Sequence, residues 1–142
     1  MPQDIKVSAG SLVAAAKSEI RELSASEAVR LAEQPDVVLV DVRDPRELER
    51  DGKIPGAFHC TRGMLEFWID PQSSYFKPIF AEDKTFVFFC AGGMRSALAA
   101  KTAQDMGLKP VAHIVGGFKA WKEAGGSVEG GEPRQDPQTG NR

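Results

Sequence analysis

Residues 85–96 read Thr85-Phe86-Val87-Phe88-Phe89-Cys90-Ala91-Gly92-Gly93-Met94-Arg95-Ser96. The apolar run that opens this stretch is typical of a strand buried on both faces of a parallel sheet. A Gly-Gly pair follows, and a helix is predicted from Met94 to Met106, where Gly107 suits the C-cap. The stretch therefore predicts a strand, a tight loop and a helix, which is the repeating unit of α/β proteins.

The rest of the chain repeats this alternation of strands and helices. Further strands are predicted at residues 37–40, 57–60 and 111–115. Further helices are predicted at about residues 24–32 and 118–124. Ser24 and Glu27 have the spacing of a capping box at the start of the first of these helices. Such alternation predicts a parallel sheet with helices on both faces.

A length of 142 residues suits one domain, which we place at residues 20–126. Residues 1–19 are expected to be a loosely attached N-terminal extension with a short helix between Ser11 and Ile20. From Gly125 onward the chain is rich in Gly, Pro and polar residues. Residues 127–142 are therefore predicted to be a disordered tail.

The composition excludes several classes of function. The formal net charge is −2, so binding of nucleic acid through a basic field is not expected. No apolar run approaches the roughly 20 residues that span a bilayer, and the N-terminus lacks the basic region of a signal peptide. We therefore expect a cytoplasmic protein with both cysteines as thiols. The two cysteines and two histidines lack zinc-site spacing, and no metal or cofactor is expected.

Cys90 carries the chemistry that the sequence indicates. It ends a predicted parallel strand, at the edge where the active sites of open α/β sheets lie. Gly92 and Gly93 let the backbone curl with its N–H groups inward, as in an anion-binding nest. The helix N-terminus adds partial positive charge and Arg95 a full one, and both favour a thiolate. A passive, buried cysteine is the alternative, but it would need neither the glycines nor the arginine.

Three motifs, in the family's order, resemble the rhodanese sulfurtransferases. They are Asp41-Val42-Arg43 with Glu47 and Gly52-Lys53-Ile54-Pro55-Gly56-Ala57, then Cys90 to Ser96, then Gly116-Gly117-Phe118-Lys119-Ala120-Trp121 with Ala124-Gly125. Lys53 stands where the family usually has His, in a turn where we expect little effect on chemistry. The resemblance implies an α/β fold with three α/β/α layers and a central, mainly parallel five-stranded sheet.

The same resemblance implies transfer of sulfane sulfur. Cys90 and Arg95 would be catalytic, and the Cys90 thiolate would take the outer sulfur of a donor such as thiosulfate as a persulfide. The loop that holds this persulfide would consist of Ala91, Gly92, Gly93, Met94 and Ser96. A thiol or cyanide would then accept the sulfur, which predicts ping-pong kinetics. A persulfide on a partner protein would satisfy the same loop.

Two alternatives stay open at this stage. Cysteine phosphatases and arsenate reductases also combine a cysteine, a cradle of N–H groups and an arginine. Their loop has a Cys-x5-Arg spacing, whereas Cys90 and Arg95 have Cys-x4-Arg, a tighter ring that suits one sulfur atom. The other alternative is a non-catalytic persulfide carrier or interaction module with the same residues.

Five further residues are candidates for supporting roles. Asp41, Arg43 and Glu47 are interpreted mainly as a structural clasp, with active-site electrostatics as the alternative. Arg62 is a candidate for attracting an anionic donor, although a solvated arginine explains it equally well. Trp68 belongs to an aromatic segment that either packs on the sheet or limits water at the persulfide.

The remaining cysteine and the two histidines have packing interpretations. Cys60 is interpreted as a strand-end packing residue, because free cysteines are usually buried. Its alternative role is to resolve the Cys90 persulfide as a disulfide. His59 and His113 lie in predicted strands and are interpreted as packed, hydrogen-bonded residues rather than catalytic bases.

Overall fold

Five parallel strands form the centre of the computed structural model, which describes residues 2–132. They are β1 (Arg21–Leu23), β2 (Val37–Asp41), β3 (Phe58–His59), β4 (Thr85–Phe89) and β5 (Val111–Ile114). Their order across the sheet is β1-β5-β4-β2-β3, and every pairing is parallel. The predicted α/β fold with a five-stranded sheet is confirmed.

Helices cover both faces of this sheet. They are α1 (Ala9–Glu19), α2 (Ala25–Leu31), α3 (Pro45–Asp51), α4 (Leu65–Ile69), α5 (Met94–Met106) and α6 (Gly117–Glu123). Buried residues of α1, α4 and α5 share one core layer, and those of α2 and α6 share the other. None of the helices within residues 2–132 is long and apolar enough to cross a membrane.

The strand β4 shows why its sequence is apolar throughout. Phe86 and Phe88 enter the layer beneath α5, while Val87 and Phe89 enter the layer beneath α2 and α6. Successive side chains of a strand point to opposite faces, so a central strand with a core on each side needs apolar residues at every position. Cys90, the next residue, lies on the α5 side.

The expectation of a loosely attached segment over residues 1–19 is wrong for α1. Val13 and Ala16 are buried in the same core layer as the alanines of α5. The Gln104 side chain of α5 also donates a hydrogen bond to the Glu19 carbonyl at 2.8 Å. The buried face of α1 consists of Val13 and Ala16 alone, so its amphipathic pattern is weak in the sequence.

Part of the predicted disordered tail packs against the domain. Lys53 and Glu129 form an antiparallel bridge, and each backbone N–H donates to the other's carbonyl at 2.9 Å. The Trp121 indole N–H donates to the Ser127 carbonyl at 2.8 Å. Backbone hydrogen bonds hold this segment, so its polar composition did not reveal the contact. Residues 133–142 lie outside the described residues.

Candidate active site

Cys90 follows the last residue of β4 and faces the first turn of α5. The residue is 1% exposed, and its Sγ accepts hydrogen bonds from two backbone N–H groups. These are the N–H of Gly93 at 3.1 Å and that of Ser96 at 3.4 Å. Gly93 has φ +110°, a left-handed conformation that glycine adopts without strain. The loop therefore aims N–H groups and the N-terminus of α5 at the sulfur, an arrangement that favours negative charge there.

The other loop glycine and its neighbours have different positions. Gly92 is exposed, and a Cβ at this position would meet no atom within 4 Å. Ala91 is half-buried, while Met94 begins α5 with 56% of its surface exposed. Of the two loop glycines, Gly93 is thus the one that the backbone conformation requires.

A second loop, at the start of α6, holds the Cys90 loop in place. The Phe118 N–H donates to the Cys90 carbonyl at 2.8 Å, and the Lys119 N–H donates to the Ala91 carbonyl at 3.2 Å. The two loops approach closely at Gly117, where a Cβ would lie 2.4 Å from the Cys90 carbonyl oxygen. The motif that begins with Gly116 thus positions the cysteine although it contributes no side chain to it.

Replacing Gly117 with alanine should displace the Cys90 loop. The new methyl group would overlap backbone oxygens, which cannot move away as a flexible side chain can. Overpacking of this kind typically costs about 1–3 kcal/mol, and the positive φ of +59° adds strain. We expect a lower free energy of unfolding in urea and slower alkylation of Cys90. Gly63→Ala is the control, because a Cβ there meets nothing within 4 Å; equal effects in both variants would contradict the prediction.

Arg95 is held beside the loop by Glu47. Its guanidinium donates to both carboxylate oxygens, at 2.8 and 2.9 Å. The hydrogen bond from Arg95 lowers the pKa of Glu47, so that the carboxylate stays ionised. Glu47 also accepts from the Asp44 N–H as part of the capping box of α3. The guanidinium is therefore fixed in position, and part of its charge is balanced.

Asp41 and Arg43 form a separate, buried ion pair. Arg43 Nε and Nη2 donate to the Asp41 carboxylate at 2.9–3.2 Å, and Nη2 also donates to the Gly52 carbonyl. The guanidinium lies 4.2 Å from the centroid of the Phe118 ring. The structure corrects the predicted three-residue clasp: Asp41 and Arg43 form it alone, while Glu47 binds Arg95. Helix α3 turns Glu47 towards α5, which sequence spacing did not indicate.

The two candidate substrate-binding residues have structural partners. Arg62 donates to Glu66 at 3.0 Å and to Thr102 at 3.4 Å, roughly two turns of α5 beyond its first residue. These partners do not hold Arg62 at the Cys90 loop, where the candidate role of attracting an anionic donor would require it. Trp68 packs against the Phe58 ring, with the Lys77 ammonium 4.7 Å from its centroid. Neither contact of Trp68 involves the Cys90 loop.

The second cysteine lies in a different environment from Cys90. Cys60 is completely buried, and its burial raises the pKa of its thiol to about 12. It is therefore a thiol at neutral pH and a poor nucleophile. His59 Nε2 donates a hydrogen bond to the Arg43 carbonyl at 2.7 Å, as expected of a packed histidine. Within residues 2–132 no cluster of His, Cys, Asp and Glu could hold a metal ion.

A chain of polar side chains leads away from Cys90, and the sequence did not indicate it. The Cys90 thiol lies 3.7 Å from Ser96 Oγ, which lies 3.0 Å from His113 Nδ1. His113 Nε2 lies 2.8 Å from Glu22 Oε2. Glu22 belongs to β1, a three-residue strand that was not predicted. The one available signal was a histidine within an otherwise apolar strand.

Comparison with known proteins identifies a family that has this arrangement of strand, loop and helix. The rhodanese-like domain family matches residues 24–124, which is most of the described chain. The chain belongs to the rhodanese family. The predicted resemblance is thereby confirmed, and the Cys90 loop of this rhodanese lies within the matched residues.

The relatives include sulfurtransferases. The thiosulfate sulfurtransferase GlpE of Shewanella oneidensis is 31% identical over 75% of this chain and 97% of the relative. The polysulfide-sulfur transferase of Wolinella succinogenes is 36% identical with a TM-score of 0.64, over 83% of this chain and 84% of that one. The chain spans 61% and 49% of the length of two other curated relatives.

One solved structure is considerably more similar. It is a protein of unknown function from Rhodopseudomonas palustris, described as a possible tyrosine phosphatase. It is 66% identical with a TM-score of 0.88, over 91% of this chain and 99% of that one. Some similar proteins are thus sulfurtransferases, while this more similar protein is described as a possible phosphatase.

Proposed function

We propose that this rhodanese transfers sulfane sulfur from a donor such as thiosulfate to a thiol or cyanide, through a persulfide on Cys90. The observation that carries the proposal is the pair of backbone N–H groups, from Gly93 and Ser96, that point at Cys90 Sγ. These donors and the N-terminus of α5 stabilise a thiolate, which is the nucleophilic form of cysteine.

The transfer proceeds in two displacements at sulfur. In the first, the electron pair of the Cys90 thiolate attacks the outer sulfur of thiosulfate. The sulfur–sulfur bond of the donor breaks, and its electron pair leaves on sulfite. In the second, cyanide or a thiolate attacks the terminal sulfur of the Cys90 persulfide, and the thiolate is restored. Each half-reaction releases one product, so the kinetics are ping-pong.

Arg95 contributes positive charge near the loop where an anionic donor has to approach. Its pairing with Glu47 keeps the guanidinium in one orientation. The hydrogen bond to Glu47 is the main cause that raises the pKa of Arg95, and the nearby Cys90 raises it further. The arginine therefore stays charged beside the Cys90 loop.

Hydrolysis of an aryl phosphate is the second candidate function. The possible tyrosine phosphatase at 66% identity is the observation that favours it. The Cys-x4-Arg spacing and the engagement of Arg95 by Glu47 speak against it, because a phosphate cradle needs several donors around three oxygens. A non-catalytic persulfide carrier remains the third candidate. Location in the cytoplasm stays a prediction from the sequence.

Intact mass spectrometry after incubation with thiosulfate tests the proposed function. We expect a gain of one sulfur atom, which cyanide removes as thiocyanate in repeated turnovers. The same preparation should hydrolyse p-nitrophenyl phosphate negligibly under matched conditions. Aryl phosphate turnover above thiosulfate turnover would overturn the assignment in favour of a phosphatase. A persulfide that forms without repeated turnover would overturn it in favour of a carrier.

A further inference from the structure

A buried polar path connects Cys90 to the surface through three side chains. Ser96 of α5 and His113 of β5 are both 0% exposed. His113 is paired across the sheet with Glu22 of β1, whose side chain is 35% exposed. We call Ser96, His113 and Glu22 the relay. A buried polar group is costly unless its hydrogen bonds are satisfied, and each heteroatom of His113 has a partner here.

The chemistry of the acceptors fixes the direction of the hydrogen bonds. An ionised Glu22 can only accept, so His113 Nε2 carries the proton and donates it at 2.8 Å. Nδ1 of the neutral ring is then an acceptor, and Ser96 Oγ donates to it at 3.0 Å. The remaining lone pairs of Ser96 Oγ face the Cys90 thiol, which donates at 3.7 Å. Each donor therefore points its proton away from Cys90: the thiol towards Ser96, the Ser96 hydroxyl towards His113, and the His113 Nε2–H towards Glu22.

We propose that the relay takes up the proton of Cys90, with Ser96 passing it to His113 and Glu22 holding His113 in the required tautomer. The inference rests on the proposed function for its place in the reaction. It assigns to His113, and to the short strand β1, a role in activating the thiol. His113 acts on Cys90 through Ser96, so it is a positioning and proton-holding residue.

The proton and electrons balance along this path. The Cys90 S–H bond breaks as its proton moves to Ser96 Oγ, while the Ser96 hydroxyl proton moves to His113 Nδ1. The result is a Cys90 thiolate and a His113 imidazolium, whose Nε2–H still donates a hydrogen bond to the Glu22 carboxylate. The thiolate then attacks the donor sulfur. The imidazolium keeps the proton until the thiol reforms, or until solvent beside the partly exposed Glu22 takes it up.

The surroundings of His113 keep the ring neutral before the reaction. Burial, the largest effect, lowers the pKa of His113, whereas the hydrogen bond and charge of Glu22 raise it. Lys17 of α1 lowers it further, and the neighbouring residue on β4, Phe88, is apolar. A neutral imidazole at pH 7 can accept a proton, which the relay requires.

Alkylation of Cys90 by iodoacetamide tests the relay without any sulfur donor. Cys60→Ala serves as the background, so that Cys90 is the one thiol of the chain. The rate is followed against pH by intact mass for Ser96→Ala, His113→Gln and Glu22→Gln. We expect the midpoint of each profile to rise by about one pH unit, which lowers alkylation at neutral pH about tenfold. The double variant of Ser96 and His113 should show no larger shift than either single variant.

His59→Gln is the matched control, because it removes the other histidine while the relay is intact. Its alkylation profile should coincide with that of the background. An unshifted profile for folded His113→Gln would overturn the relay, whatever the protein does with thiosulfate. Conversely, shifted profiles in a protein that transfers no sulfur would overturn the proposed function and leave the relay standing.

Nitrogen NMR of the unsubstituted protein gives a second test that does not depend on the folding of variants. We expect the His113 ring to be neutral at pH 7 with its proton on Nε2, where Glu22 accepts it. A proton on Nδ1, or an imidazolium in the resting enzyme, would contradict the relay.

Discussion

Replacement of Cys90 by alanine is expected to abolish sulfur transfer, with a loss of at least about a thousandfold in kcat/KM, because the proposed covalent intermediate forms on Cys90. The alanine side chain fits the space of a buried cysteine, so the melting temperature should change little compared with the activity. The measurement is thiocyanate formation from thiosulfate and cyanide, together with the mass gain of one sulfur atom in the wild type.

Cys60→Ala is the control for this experiment. Cys60 is buried on the same side of the sheet, and burial raises the pKa of its thiol to about 12. The chain therefore contains two buried cysteines, of which only Cys90 has backbone N–H groups directed at its sulfur among the described residues. Cys60→Ala should keep most of the sulfur transfer. Near-normal turnover in Cys90→Ala would end the proposal that a Cys90 persulfide is the intermediate.

Replacement of Arg43 by methionine is expected to lower the free energy of unfolding by about 3–5 kcal/mol, the usual cost of removing one partner of a buried ion pair. Arg43 is fully buried, and Asp41 is 1% exposed. The substitution leaves the buried Asp41 carboxylate with one donor from position 43, which is the backbone N–H. It also removes the hydrogen bond to the Gly52 carbonyl and the contact with the Phe118 ring.

Urea denaturation of two further variants separates burial from charge. Arg46→Met breaks the exposed pair with Asp44 and should change the free energy of unfolding little, because solvent screens this pair. Asp41→Leu combined with Arg43→Met removes both buried charges and should recover part of the stability lost in the single variant. A similar, small effect for Arg43→Met and Arg46→Met would show that the buried pair contributes little to stability.

Local patterns were sufficient for the central part of the fold. The strand β4, the glycine loop and α5 follow one another without interruption, so the apolar run, the turn residues and the C-cap glycine act on adjacent residues. The structure has these elements at Thr85–Phe89 and Met94–Met106, at the predicted bounds. By contrast, β1 has three residues, too few for any periodicity to be recognised.

The sequence by itself determined that Cys90 stands between a buried strand and a helix N-terminus, because all the residues responsible lie within a few positions of it. Tertiary structure decided which charges belong together. Glu47 could pair with Arg43 or with Arg95, and the path of α3 selects Arg95. Likewise, Glu22 and His113 are distant in sequence, and they meet because β1 pairs with β5 in one register. The physical reason is that hydrogen bonds and ion pairs depend on distance in space, whereas sequence patterns report local conformation and burial.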